Sequence, residues 1–415
     1  MDVGLFERLE RDAYTVFMRK EVLSLSYVPE VLVAREKEKE YFAGILARGV
    51  KEDFLPPMIR VYGPPGSGKT AVVRSVLERF SGYKGDVFRY FYVNLKGTRT
   101  VFMAANSVLS SISGRRVPNN LGLDRVFEEI WGAIRSLKVD RLFVVLVFDE
   151  VESVFLDKHY DPSDFFYRFL RHHVFLDDPG IKLCLVVITN NPTAFEDNLD
   201  ARVRSSMGSE AIMFDAYSPV ELEAILRRRV EEGFKPECVE KGLAEYVSWM
   251  FDTDVGDARK SIDLLRVSGE IANERRCIVD MSTSVDARDR MQKEWVYREL
   301  EGLPLHFSLV LWYIAYLSKD DGKTSTGEVY KFSIKNPLDA IRDKPISRLG
   351  ERRILEIITQ LEAKGLLTTM NVSMGRRGYG KLVRLNLNPE DVLSYYERDV
   401  LQIKMVETNT SWPNF

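Results

Sequence analysis

Gly63-Pro-Pro-Gly-Ser-Gly-Lys-Thr70 decides the fold through what stands on either side of it. Before it, Met58-Ile-Arg-Val-Tyr62 is a short β-type run; after it, residues 71–80 carry a helical pattern. A G-x-x-x-x-G-K-[ST] segment placed between a strand and a helix is the arrangement that cradles phosphates. Its glycines let successive backbone N–H groups turn toward phosphate oxygens, and the positive end of the following helix adds to their field. The candidate phosphate-binding residues are therefore Gly63, Pro64, Pro65, Gly66, Ser67, Gly68, Lys69 and Thr70. Lys69 is expected to reach the β- and γ-phosphates of ATP, with ADP as the product, and Thr70 to ligate Mg²⁺. A simple glycine turn has no need of the Lys-Thr pair.

Outward from this segment, β-type runs alternate with helical patterns: Met58–Tyr62, Phe88–Asn94, 142–148 and Ile181–Thr189, with helices between them. That grammar predicts an α/β domain with a parallel sheet covered by helices on both faces. Residues 142–148, Leu-Phe-Val-Val-Leu-Val-Phe, read as a doubly buried strand that ends in Asp149-Glu150. Asp149 at the strand end is expected to hold Mg²⁺, and Glu150 to orient or deprotonate the attacking water. The run Ile181–Thr189 ends in Asn190-Asn191 at the same carboxyl edge, where open α/β sheets bind ligands, so Asn190 is placed to position that water.

With 59 basic and 62 acidic residues the net charge is −3, which as an average argues against nucleic acid. The average hides residues 323–384, where 13 basic residues face 6 acidic ones, a local +7. Cys184, Cys238, Cys277 and His159, His172, His173 and His306 are scattered without zinc-site spacing. The N-terminus lacks a signal-peptide pattern and no apolar run is long enough for a bilayer, so the chain is read as cytoplasmic, without a membrane partner.

Ser218-Pro-Val-Glu221 is a capping-box start, and the pattern stays helical to about residue 295. Domains are therefore expected at 1–215 (α/β with an N-terminal extension), 216–295 (a small helical lid) and 296–415. In the last, helices over Leu305–Leu317, 326–333 and 350–364 precede two β-type runs, 366–374 and 381–387. These runs flank Gly375-Arg-Arg-Gly-Tyr-Gly380, and three helices with such a hairpin make a winged helix. Ile354, Ile357, Ile358 and Leu361 recur at helical spacing and face the core, leaving Arg352, Arg353, Glu356, Thr359 and Gln360 outward, toward a major groove. Arg376, Arg377 and Lys381 at the wing would meet phosphates or a minor groove.

Together, residues 63–70, Asp149-Glu150, 189–191, 199–206 and 256–272, with Tyr27-Val-Pro29 and Arg35-Glu36, resemble the archaeal Orc/Cdc-type replication initiators over nearly the whole chain. The resemblance implies an AAA+ P-loop ATPase with a lid and a DNA-binding winged helix. It assigns Asn190 to sensor 1 and Arg259 to the sensor-2 arginine on the γ-phosphate, and places Tyr217 and Arg229 in the nucleotide pocket. Arg202, or else Arg204, takes the place of an arginine finger to a neighbouring initiator subunit; otherwise the pair is a basic patch answering Glu196, Asp197 and Asp200. Residues 98–121, with Arg99, Arg115 and Arg116, take the place of a helical insertion that presses on DNA. The implied function is ATP-switched initiation at origin duplex DNA, with paralogous initiator subunits and a replicative helicase as partners. The alternative is an ATP-gated transcription regulator or signalling ATPase whose winged helix binds promoter DNA or a protein.

Overall fold

The computed structural model describes residues 14–25, 27, 29, 32–137, 140–176, 178–250, 257–320, 322–335, 340–341, 344–345, 349–373 and 379–396. The chain divides into two compact units, Met1–Val285 and Asp286–Phe415.

The first unit is built on five parallel strands, β1 (Met58–Tyr62), β2 (Phe88–Asn94), β3 (Leu142–Asp149), β4 (Ile181–Thr189) and β5 (Ala211–Met213), in the order β2-β3-β4-β1-β5. Four of them coincide with the β-type runs of the sequence. The edge strand β5 was not anticipated, because three residues with two exposed side chains are too few to show an alternation. The unbroken apolar run of β3 follows from burial on both faces. Leu142, Val144, Leu146 and Phe148 enter one core and Phe143, Val145 and Val147 the other. Each such side chain contributes about 1.5–3 kcal/mol.

Helices α1 (Glu36–Glu52) and α2 (Lys69–Lys84) cover the second of these faces. On α1, Phe42, Ile45 and Leu46 are buried, whereas Tyr41 is exposed and donates its hydroxyl to Glu210 (3.0 Å). Helices α3 (Val101–Ser113), α4 (Leu123–Ser136) and α5 (Pro162–Leu170) cover the first face, where Phe165 and Phe169 pack on Phe148 with centroids 5.3 and 5.4 Å apart. Three short helices follow, α6 (His172–Leu176), α7 (Pro192–Asp197) and α8 (Ala201–Ser206). The strand register pairs Tyr62 with Thr189 and Asn94 with Asp149, so the carboxyl ends of the central strands finish at one edge.

The lid comprises α9 (Pro219–Gly233), α10 (Leu243–Met250) and α11 (Ala258–Arg275). The expected capping box is formed: Ser218 N–H donates to Glu221 at 2.9 Å, and the Ser218 hydroxyl accepts from the Glu221 N–H. Residues 14–24, an N-terminal extension by position, are laid on the lid. Phe17 stacks on Phe234 (5.2 Å) and Met18 N–H donates to Gly233 O (2.9 Å). Helix α12 (Met281–Glu301) runs unbroken through residue 295, where the sequence reading divides lid from C-terminal domain. No glycine or proline interrupts it before Gly302.

The second unit holds α13 (Leu305–Leu317), α14 (Thr326–Lys335), α15 (Glu351–Ala363) and α16 (Pro389–Tyr395). The two residues of β6 (Thr324–Ser325) pair with β10 (Tyr379–Leu385), which pairs with β9 (Leu367–Ser373); β7 (Ala340–Ile341) and β8 (Lys344–Pro345) form a separate pair. Ile354, Ile357, Ile358 and Leu361 are buried as expected, beneath Tyr313 and Ile314 of α13 and Val383 of the hairpin. The hairpin tip with Arg376 and Arg377 lies outside the described residues. Among the described residues no helix is long and apolar enough to cross a membrane, and no group of His, Cys, Asp and Glu could by itself hold a metal ion.

Candidate nucleotide site

The loop 63–68 leaves the end of β1 and enters α2 at Lys69, so the first turn of that helix opens on the carboxyl edge of the sheet. Gly66 and Gly68 take φ values of 74° and 91°, a region that penalises any side chain. They also have no room for one. A Cβ on Gly66 would meet the Asp257 carboxylate, and one on Gly68 the Tyr217 hydroxyl. The two closest approaches to these glycines therefore come from the lid and its joint.

Lys69 is almost fully buried, and its ammonium donates to Gly63 O (2.8 Å), Pro64 O (2.7 Å) and Asn190 Oδ1 (2.9 Å). The structure thus brings together Lys69 and Asn190, which the sequence places 121 residues apart. Burial, with the positive charge of Arg259 nearby, lowers Lys69 to about 8 against the pull of Asp149, Glu152 and Asp257. A base lowered in this way loses its proton in the folded chain above about 8 while the unfolded chain holds it to 10.5. Stability therefore rises with pH through that window, and the cost of the buried charge is felt in full below it. Anionic phosphates favour the ammonium, so binding above this value takes up a proton. ADP affinity in magnesium-free buffer is expected to fall by up to about tenfold per pH unit above the Lys69 value. Calorimetry in buffers of different ionisation enthalpy reads the proton directly; a flat profile from about pH 7 to about pH 9.5 would contradict it.

Asp149 ends β3 at 5 % exposure. Its Oδ2 accepts from Thr70 Oγ1 (2.7 Å) and from Tyr92 Oη (2.7 Å), and its Oδ1 from the Glu150 N–H (2.9 Å). Mg²⁺ takes oxygen ligands and usually only one or two from carboxylates, the rest from water and phosphate. The Thr70 hydroxyl and the Asp149 carboxylate, already in contact at the phosphate loop, fit that donor set. Glu150 follows in the left-handed region (φ 56°), and its carboxylate lies 3.7 Å from the Lys96 ammonium. Such strain in a non-glycine residue is a mark of functional positions.

Tyr92, Glu152 and Arg35 were not singled out as site residues by their chemistry. Tyr92 sits near the carboxyl end of β2, beside β3, with the Arg74 guanidinium 5.1 Å from its ring. Burial, and the Asp149 carboxylate it faces, push its phenol pKa up, so it acts as a donor. Placing β2 next to β3 would have revealed it. Glu152 accepts from the Thr189 hydroxyl and from the Asn190 N–H (2.8 Å), fixing the end of β4, and nothing in its local sequence announces that role. Arg35 appeared only among the residues that carry the resemblance.

A cavity of about 350 Å³ opens between sheet edge and lid. Gly66, Gly68 and Thr70 line one end, and Leu25, Pro29, Leu32, Ile225 and Ile262 give the other an apolar character suited to a purine ring. Tyr217, Arg229 and Arg259 all line it. The charge of Arg229 is engaged elsewhere: its guanidinium donates to Val22 O (2.7 Å) and lies 4.9 Å from the Tyr27 ring. It anchors the segment that forms the apolar end.

Arg202 does not line this cavity. It is 56 % exposed on α8, pairs with Asp200 (2.6 Å) and Asp164 (3.2 Å), and lies over the Tyr167 ring. Glu196, one of the acids expected to answer it, instead takes Arg60 (2.6 Å) and the Tyr62 hydroxyl (2.8 Å). Arg204 donates to Glu196 O (3.3 Å). Arg115 and Arg116 are exposed in the loop after α3, whose next residue, Val117, is clamped at both backbone groups by the Asn106 amide (2.7 and 3.1 Å). On α15, Arg352, Arg353 and Gln360 are exposed, and both arginines reach Glu356 (3.4 and 3.1 Å). Lys381 is half-buried on β10.

Three family models match the chain: an AAA domain over residues 53–193, a Cdc6 AAA+ ATPase-type lid domain over 223–279, and a CDC6 C-terminal winged helix domain over 298–395. The chain is 32 % identical over 402 residues to the ORC1-type DNA replication protein of Desulfurococcus amylolyticus, covering 94 % of this chain and 96 % of that one. Against the ORC1-type DNA replication protein 1 of Aeropyrum pernix the identity is 33 % over 380 residues, covering 90 % and 92 %. The solved structure of the Aeropyrum pernix ORC1 protein in complex with DNA matches with a TM-score of 0.73 at 31 % identity, covering 92 % of this chain and 97 % of that one.

Proposed function

The chain belongs to the ORC1-type DNA replication proteins, and from that premise we propose that it binds origin duplex DNA and uses ATP binding and slow hydrolysis as a switch between assembly states. One observation carries the reading: Arg259 of the lid and Thr70 of the phosphate loop line a single cavity, so the third phosphate of ATP is within the lid's reach and ADP lacks it.

In this mechanism the N–H groups of residues 66–70 and the Lys69 ammonium hold the β- and γ-phosphates. Thr70 and Asp149 would hold Mg²⁺, which when bound neutralises charge on the phosphate oxygens. Tyr92 keeps the Asp149 carboxylate oriented. Glu150 accepts the proton of the water that attacks in line, and Asn190, fixed by Glu152, positions that water. Arg259 offsets the charge that moves to the leaving oxygen. Loss of the γ-phosphate removes the lid's anionic partner and frees it to shift. A second copy or a paralogous initiator would present Arg202 to this site, exchanging Asp164 and Asp200 for phosphate.

On DNA, the exposed face of α15 with Arg352, Arg353 and Gln360 enters the major groove, while Lys381 and the wing arginines, Arg376 and Arg377, meet the backbone. Arg115 and Arg116 add a contact from the ATPase domain, and recruitment of a replicative helicase completes the role. The test is a DNA titration over a salt series with ATP, ADP and no nucleotide, comparing wild type with Arg352→Ala/Arg353→Ala. Affinity is expected to fall steeply with salt, and the double variant to lose about two from the slope of log K against log salt and at least about tenfold in affinity. Binding that ignores both salt and the substitutions would make the winged helix a protein-docking module and end the origin-binding reading.

A further inference from the structure

Arg35 is 7 % exposed, and its backbone takes φ 68° directly after Ala34 at φ 64°. Two successive non-glycine residues in the left-handed region persist only where the surroundings demand it. Here the guanidinium supplies the demand. Its Nε donates to Ser67 O in the phosphate loop (3.1 Å), one terminal nitrogen to Asp215 O, and the other to the Glu38 carboxylate (3.3 Å). Its Cζ lies 4.1 Å from the centroid of the Tyr217 ring and 5.7 Å from that of Phe214. The Tyr217 hydroxyl in turn abuts Gly68. Ser67 Oγ is buried with no hydrogen-bond partner, so among the polar groups of that residue the carbonyl has the cation.

From this arrangement we propose that Arg35 is a positioning residue for the nucleotide, one that ties the phosphate loop to the joint between sheet and lid. The Ser67 carbonyl and the Gly68 N–H belong to one peptide group. A cation on the carbonyl oxygen polarises that group and makes the N–H a stronger donor to phosphate. The same guanidinium holds Asp215 and Tyr217, immediately before lid helix α9 begins at Pro219. Movement of the lid about this joint pulls on Arg35, and through it on the loop that grips the phosphates. A planar fork with five donors serves three segments at once, which an ammonium cannot.

The inference rests on the ATP-site reading, and the experiment separates the two. Full-length wild type, Arg35→Gln, Arg35→Lys, Tyr217→Leu and the Arg35→Gln/Tyr217→Leu double variant are titrated with ADP and ATP, and KM and kcat for hydrolysis are measured. Arg35→Gln is expected to weaken both nucleotides by at least about tenfold, with kcat at saturation within about threefold of wild type. Arg35→Lys should recover part of the loss. In the double variant the losses should combine to less than their product, because both side chains act through one stack. If Arg35→Gln does not fold, the result is read from Arg35→Lys, which should still bind at least about threefold more weakly than wild type. Wild-type affinity in both Arg35 variants, fully multiplicative losses, or loss of a cooperative nucleotide-free unfolding transition in Arg35→Lys would each overturn the proposal. Failure of wild type itself to bind nucleotide would instead overturn the ATP-site reading.

Discussion

Replacing Lys69 by alanine is expected to lower the affinity for both ADP and ATP by about 10²–10⁴-fold, the largest binding effect of any single substitution in this chain. The ammonium is held between Gly63 O, Pro64 O and Asn190 Oδ1, at the mouth of the α2 helix where phosphate oxygens arrive. Alanine removes two charge-assisted bonds to phosphate, each worth about 1.5–3 kcal/mol in a site shielded from water. It also removes a buried cation that burial and Arg259 disfavour, so the nucleotide-free variant should unfold no more readily than wild type below pH 8. Titration calorimetry and thermal unfolding on one preparation check both halves. Retention of ADP within about tenfold of wild type would mean that the backbone amides alone hold the phosphates.

Glu150→Gln should do the opposite, leaving binding within a few-fold while lowering kcat by about 10²–10⁴. The Glu150 backbone is anchored to Asp149, and its carboxylate pairs with Lys96 rather than with the phosphate-loop lysine. Glutamine keeps the shape and can still orient water, but it cannot take a proton. Single-turnover hydrolysis with enzyme in excess isolates the chemical step. Were kcat unchanged, the base would have to be another group. Glu152 is poorly placed for that, since its carboxylate is occupied by Thr189 and the Asn190 amide.

What was legible in the chain follows how local each signal is. The phosphate loop, the apolar strand ending in Asp149-Glu150 and the capping box at Ser218 each depend on neighbours within a few residues, and each stands where the pattern put it. The buried isoleucines of α15 were equally visible, because 3.6-residue spacing needs no partner to be read. β5 and α16 were missed: three residues and seven are too short for a period to show. Arg229 lines the cavity beside the phosphate loop, but nothing along the chain shows that Val22 and Tyr27 would claim its guanidinium from more than 200 residues away. The pairing of Arg202 with Asp164, 38 residues earlier, was hidden for the same reason.

By itself the sequence determined the class of fold, the phosphate-binding loop, the carboxylates at the end of β3 and the helices and hairpin of the C-terminal unit. These are properties of backbone dihedrals and hydrophobic period over short stretches. Only the tertiary structure decided which polar groups meet. Tyr92 and Thr70 share one carboxylate oxygen of Asp149, Glu152 fixes Asn190, and Arg35 joins the phosphate loop to the lid joint. A buried donor must find its acceptor within about 3 Å wherever the packed strands bring one. That place is set by the order β2-β3-β4-β1-β5, in which strands adjacent in space are distant in the chain.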